Sequence, residues 1–551
     1  MWWLLACAGG AGPGKGDLSG LDIVSIEIVP SEVTLTTSAS GAGSQDFVVN
    51  ATLNDGTVYH SFPLVSFELS NSSAGAMEDL TFVASTTNGG RTHLTASVQG
   101  ITATAEVTVI YTEQSRAEGV PEGAEILMEA AAANSDGLEW VYPPDGTVLP
   151  RNLPELDFMW RDEADADLYA LSFRSSLTDV TVYTNDPVWY SNSEIWGTIT
   201  ATNAGDSVEL RLRAADVVMD GSTVTAVENV REIGPFLLEV RRFDATGSIY
   251  YWSTTGNGIV RTSVDDTSPE EWFSPGNGTA EHCLGCHVLT SDGSMLAYSW
   301  SDDSAATFRA GLATVAADAS GVTPLLPEDG TARVGWYNTF DPTGTWWISA
   351  DQTTLNVYNA QTGEYLSSTT AGNGYTMPDW SPAGDEIAVV SGNYRELRIL
   401  THRGGGVLEE TSMLVQAGDQ QSIYYPTFSP DGKWIAFNLA DGSFYDNETA
   451  ALYLVSLSGG PVIELAKANQ GPDLANSWAR WGPMPDDDVL WLAFASRRDY
   501  GTQPHTGESQ IWITAIDTDL AELGEDPSRP AFRMVQQDMD TSNHTPWWSS
   551  I

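Results

Sequence analysis

The segment His282-Cys283-Leu284-Gly285-Cys286-His287 carries two of the chain's three cysteines. Thiols three positions apart can each bond one vinyl group of a single porphyrin, and the histidine that follows then falls under the iron. Cys283 and Cys286 are thus the expected attachment points of one covalent haem c, with His287 as its proximal iron ligand. Other chemistries of the same residues are a redox dithiol and half of a zinc site. The first needs a thioredoxin-like βαβ context, and none is visible. The second needs a further ligand pair, and no cysteine remains to supply it, so two distant histidines would have to be recruited. No residue is assigned a catalytic role.

Cys7 lies in Leu4-Leu5-Ala6-Cys7-Ala8, which resembles a bacterial lipobox, with a lipid expected on the cysteine. The apolar stretch before it is short and lacks a basic flank; a start site placed too far downstream accounts for that, and a chance apolar start is the alternative. The run Trp2 to Ala8 is too short to cross a bilayer, so no transmembrane helix is expected in the mature chain. Residues 1–20 read as a signal remnant and tether. Lipidation and haem attachment both place the chain outside the bacterial cytoplasm, as a lipoprotein of the outer membrane facing the periplasm or the cell surface.

Positioning these groups falls to a repeat that begins near 243. Phe340-Asp341-Pro342-Thr343-Gly344, Trp380-Ser381-Pro382-Ala383-Gly384 and Phe428-Ser429-Pro430-Asp431-Gly432 share an aromatic anchor and a Pro/Gly turn, each followed by an apolar strand. Leu289-Thr290-Ser291-Asp292-Gly293 is a copy without proline, directly after the cysteine motif, and weaker copies begin at Trp481 and Trp548. Anchors at 289, 340, 380, 428, 481 and 548 give the period of a four-stranded propeller blade. The last copy stops one strand after its anchor. Strands at 248–252 and 258–262 have no anchor of their own, so the end of the chain is expected to complete the first blade of a six-bladed ring.

Counting back from the anchors places Cys286 level with Met377 and Tyr425, and His544 one position further out. These side chains are expected to converge near the mouth of the central channel. Met377 is the first candidate distal iron ligand and His544 the second; each also fits ordinary packing. His402 and His505, in glycine-containing loops, are expected to face solvent. Arg261 and Arg333 are candidate partners of haem propionates by charge alone.

Before the repeat, residues 21–112 alternate apolar and polar, as in Ile23-Val24-Ser25-Ile26-Glu27-Ile28-Val29, which predicts a β-sandwich. Residues 113–137 read as a linker with a short Ala-rich helix, 138–242 as a second sandwich, and 243–551 as the propeller. The fold class is therefore all-β: two N-terminal sandwiches, then a six-bladed propeller closed by the C-terminal strand.

Lys+Arg total 24 against Asp+Glu 74, a net charge of -50. A surface so acidic excludes non-specific nucleic-acid binding, which needs a basic face. Hydrophobic residues make up 42% of the chain, which excludes general disorder. Asp302-Asp303 and Asp486-Asp487-Asp488 offer oxygen ligands, but neither has EF-hand spacing. No hydrolase or nucleotide-binding motif occurs.

The propeller repeats resemble the TolB type, whose hallmark is the W/F-S-P-D-G turn. Cys283 to Gly293 also resembles a group of exported bacterial proteins in which C-x-x-C-H-x-x-S-x-D-G is fused into such a propeller, with Thr290 here in place of the serine. Residues 21–112 resemble bacterial Ig-like domains and 138–242 fibronectin-type sandwiches. Together these imply an exported c-type cytochrome-like lipoprotein that exchanges electrons with a redox partner protein or envelope component. Two other functions fit the same residues. One is a binding scaffold of the envelope whose haem is structural, sensory or absent. The other is a haem enzyme with peroxidase-like activity.

Overall fold

The computed structural model describes residues 20–550 apart from 63–64, 257, 275–282, 302–307, 327–332, 334, 371, 443–446, 472–473 and 486–488, and the side chains of Cys283, Leu284 and Ser301. The chain is built almost wholly of strands, and its contacts divide it into two compact units: residues 1–115 with 173–181, and residues 116–172 with 182–551.

In the first unit, alternation works as expected. Strands Gly90–Val98 and Ile101–Arg116 pair antiparallel and bury Leu94, Ala96, Val107 and Val109 on one face. Gln99 and Gly100, both at positive φ, form the two-residue turn whose twist matches the flanking strands. Val49 and Phe82 from strands outside this sheet, with Phe47 from the link between two of them, fill the opposite side of the same core.

The second unit begins with helix Ala124–Ala130 and a sandwich. One sheet holds Leu138–Tyr142, Asp157–Asp162 and Val188–Tyr190. The hairpin Asp206–Asp220 and Thr223–Val240 packs against it, Phe236 stacking on Trp140 at 5.3 Å. Arg231 and Asp162 form an ion pair whose side chains are 5% and 1% exposed.

Among the described residues six four-stranded antiparallel sheets follow. Their inner strands are Cys283–Leu289, Tyr337–Phe340, Tyr375–Trp380, Gln421–Phe428, Ser477–Trp481 and Asn543–Ser549. Each touches the next and the last touches the first, so the sheets close into a ring, a β-propeller. The C-terminal strand Asn543–Ser549 pairs with Ser248–Ser253 and supplies the inner strand of the first sheet, as the unanchored strands near 250 required.

The repeated turn has a physical explanation. Ser429 Oγ accepts from Trp434 N (3.0 Å), and Asp431 Oδ1 accepts from Lys433 N (3.1 Å). Thr290 and Asp292 do the same for Met295 N and Ser294 N, each at 3.1 Å. The hydroxyl and carboxylate thus satisfy amides that the ladder leaves free at the reversal. Gly293 and Gly432 stand at φ 64° and 70°, where a Cβ is strained. The apolar anchors then pack inward, and Leu289, Trp380, Phe428, Trp481 and Trp548 are all buried.

Candidate functional site

Five of the six inner strands carry one extra residue at the same level. The register slips between Leu284 and His287, Thr376 and Asp379, Tyr424 and Thr427, Ser477 and Arg480, and His544 and Trp547. In each case three steps on the inner strand oppose two on its neighbour, a β-bulge, which re-aims a side chain. Four of the bulged residues stand at positive φ: Met377 at 51°, Tyr425 at 48°, Trp478 at 58° and Thr545 at 47°. Bulky or β-branched residues avoid that region, at a cost of about 1–3 kcal/mol each. Strain recurring at equivalent positions of one ring marks a place where geometry is held for use.

The residues three before each anchor, Cys286, Tyr337, Met377, Tyr425, Trp478 and Thr545, all line one central cavity. His287 lines it too. It is 4% exposed, and neither ring nitrogen has a hydrogen-bond partner among the described residues. Burial pushes its pKa down to about 4, a shift that the backbone of Tyr250 and Gly285 opposes and the charge of Arg480 reinforces. The imidazole is therefore neutral near pH 7, with a lone pair to give. Burial pushes the Cys286 thiol up to about 12. That is the reverse of what a redox dithiol needs.

Met377 Sδ faces Tyr425 N at 3.4 Å and lines the same cavity as His287. His544 is not among the lining residues. It is buried on the last inner strand, its Nε2 2.9 Å from Ser542 Oγ and its ring tilted against Trp252. His402 is half-buried, edge-on to Trp346 and Trp380 at 5.4 and 5.3 Å, instead of facing solvent. Arg261 lies 3.5 Å from Glu270, and Arg333 donates to the Gly363 carbonyl; neither lines the cavity. Cys7, His282, Asp302, Asp303 and Asp486 to Asp488 lie outside the described residues, as does the side chain of Cys283.

A neutral imidazole and a thioether on one cavity are donors that suit haem iron, and a thiol beside them can bond a porphyrin vinyl group. The enclosed space is about 60 Å³, room for a few waters and not for a macrocycle. With its open side the void reaches about 520 Å³. Residues 275–282 and 302–307, which adjoin the strand of the cysteine motif and its neighbour, lie outside the description.

Sequence reasoning missed Arg480. It stands one before its anchor Trp481, donates to Asp379 and to Thr427 Oγ1 (3.0 Å), and lies 4.1 Å from the Trp547 ring. Asp379, Thr427 and Trp547 hold the same position, one before the anchor, in their own repeats. Comparing that column would have found the layer. It separates the cavity from a wider funnel of about 420 Å³ among the turns, lined by Phe340, Trp380, Phe428 and Trp548.

No family model and no curated protein matches the sequence. Among solved structures, the chain is similar to TolB from Acinetobacter baumannii at 15% identity, over 63% of this chain and 80% of that one, with a TM-score of 0.37. It is similar to a putative TolB from Agrobacterium tumefaciens at 13% identity, over 52% and 88%, TM-score 0.29. It is also similar to the dihydro-haem d1 dehydrogenase NirN in complex with DHE at 13% identity, over 53% and 54%, TM-score 0.32. Likenesses this distant carry no argument about the site, and the propeller assignment stands on the strand order itself.

Proposed function

We propose that the chain is an exported c-type cytochrome-like protein that passes single electrons to and from a partner in the cell envelope. One observation carries this reading: His287, buried and with neither ring nitrogen hydrogen-bonded among the described residues, stands one residue after Cys286 on the central cavity. Cys283 and Cys286 would hold a haem by thioether bonds and His287 would ligate its iron, which supplies a one-electron couple when bound. Met377 is the preferred distal ligand because it shares the cavity with His287, and a thioether favours the reduced state more than a second imidazole does. The aromatic wall of Tyr337, Tyr425 and the half-buried Trp478 would shield the imidazole from bulk solvent. A lipid on Cys7 would tether the protein to the outer membrane. The aromatic funnel at the turns favours a second reading, a scaffold that binds an envelope component.

The test is mass spectrometry of protein exported together with haem-attachment machinery. A haem-sized addition to the peptide spanning 283–287, with a strong-field visible spectrum, is expected. Colourless protein with both thiols free overturns the cytochrome reading and leaves the scaffold.

A further inference from the structure

The layer beneath His287 holds a charge pair, a half-buried Arg480 and a buried Asp379, that the attachment motif does not require. Arg480 and Asp379 come from different sheets of the ring, and their side chains are 20% and 7% exposed. Asp379 also accepts from Phe428 N at 2.7 Å. Arg480 donates to Thr427 Oγ1 and lies over the Trp547 ring, so its guanidinium is fixed by three further inner strands besides its own. The hydrogen bonds that fix it leave through Nη1, and the side chain lines both the His287 cavity and the funnel. A buried charge is expensive to keep unless it does something, and a structural role alone is served equally well by apolar packing.

We propose that Arg480 is a positioning residue that sets a fixed positive potential at the Cys286–His287 cavity, with Asp379 as its orienting counter-charge. The inference rests on the cytochrome reading for its consequence and on the cavity's geometry for its existence. A guanidinium lining the cavity that holds His287 disfavours any added positive charge there. An iron ligated by His287 gains one positive charge on oxidation, so Arg480 favours the reduced state and raises the midpoint potential.

Two measurements test this, and they separate the inference from the reading beneath it. In haem-bearing protein, Asp379→Asn is expected to raise the potential. Adding Arg480→Gln on that background, which leaves no carboxylate unpaired, is expected to lower it again by about tenfold in the oxidised-to-reduced ratio, or about 59 mV for one electron. Arg480→Lys, which keeps the charge, is expected to stay near wild type. A double variant whose potential is no lower than that of Asp379→Asn overturns the proposal. In haem-free protein the probe is Cys286 itself, converted to a mixed disulfide by methanethiosulfonates of opposite charge, with methanesulfinate leaving, and read by peptide mass. The anionic reagent is expected to react faster than the cationic one, and that preference is expected to vanish in the double variant. A preference absent from wild type, or surviving in the double variant, also overturns the proposal. Failure of haem attachment alone overturns only the cytochrome reading, because the thiol measurement still decides the role of Arg480.

Discussion

Thr545 offers the sharpest test of the strain argument. Its φ is 47°, it precedes Pro546, and its buried hydroxyl has no hydrogen-bond partner among the described residues. Replacing it by glycine releases backbone strain of about 1–3 kcal/mol and removes an unsatisfied hydroxyl costing about 1–3 kcal/mol. Against this stand the loss of two buried carbons, Cβ and the γ-methyl, about 1.6 kcal/mol together, and the extra conformational entropy of glycine in the unfolded chain, about 0.5–1 kcal/mol. Thr545→Gly is therefore expected to stabilise the propeller by about 1–2 kcal/mol, although it empties a buried position. Thr545→Ala isolates the backbone, because it also removes the hydroxyl and methyl but keeps a Cβ at positive φ. Glycine is expected to exceed alanine by about 1 kcal/mol, the reverse of their usual order in a strand. The assay is denaturant unfolding in which the propeller transition is resolved from that of the first unit, since one global transition is not guaranteed in a chain of this size. If alanine proves the more stable, the strain account of the ring is wrong.

Other consequences are as direct. The depressed pKa of His287 means that the unfolded chain takes up its proton near pH 6.5 while the native state resists until about pH 4. Native stability from this group is therefore complete above pH 6.5 and is lost as pH falls towards 4, by about 3 kcal/mol in all. In haem-free protein, His287→Leu should remove that part of the acid sensitivity, measured as the difference between the two proteins' stability–pH curves; parallel curves would refute it. Asp162→Ala leaves Arg231 buried without its carboxylate and should cost about 3–5 kcal/mol, whereas adding Arg231→Met should recover only part of it, because Ala164 N, Ala166 N and Tyr169 Oη still lack the acceptor that Asp162 gave them; denaturant midpoints of the pair decide. Asp431→Ala removes the acceptor for Lys433 N at the turn and should cost about 1 kcal/mol, read from the denaturant midpoint.

The propeller was legible because a blade repeats its own chemistry. A turn that needs a hydroxyl, a carboxylate and a glycine at positive φ writes itself into the sequence wherever it recurs, and apolar anchors mark the period. Ring closure was legible for the same reason: strands near 250 lacked an anchor, and the chain end supplied one at Trp548. Met377 shares the cavity because counting from the anchor is a good ruler within a repeat. The ruler set His544 one residue further from its anchor than Met377, and there a β-bulge intervenes; its ring turns to Trp252 and Ser542 instead. His402 looked like a loop residue because its neighbours are glycines, yet its partners Trp346 and Trp380 are distant in sequence.

Local chemistry, then, was set by the linear order of residues: two thiols and an imidazole three and four positions apart, and turns whose amides are satisfied by side chains within five residues. What only the folded ring decided is the company those groups keep. Arg480 meets Asp379 across 101 positions of chain, and no periodicity announces that a cation stands beneath His287. Burial makes that meeting consequential, because in a low-dielectric channel charges and lone pairs act on whatever lies nearest in space, whatever the distance along the chain.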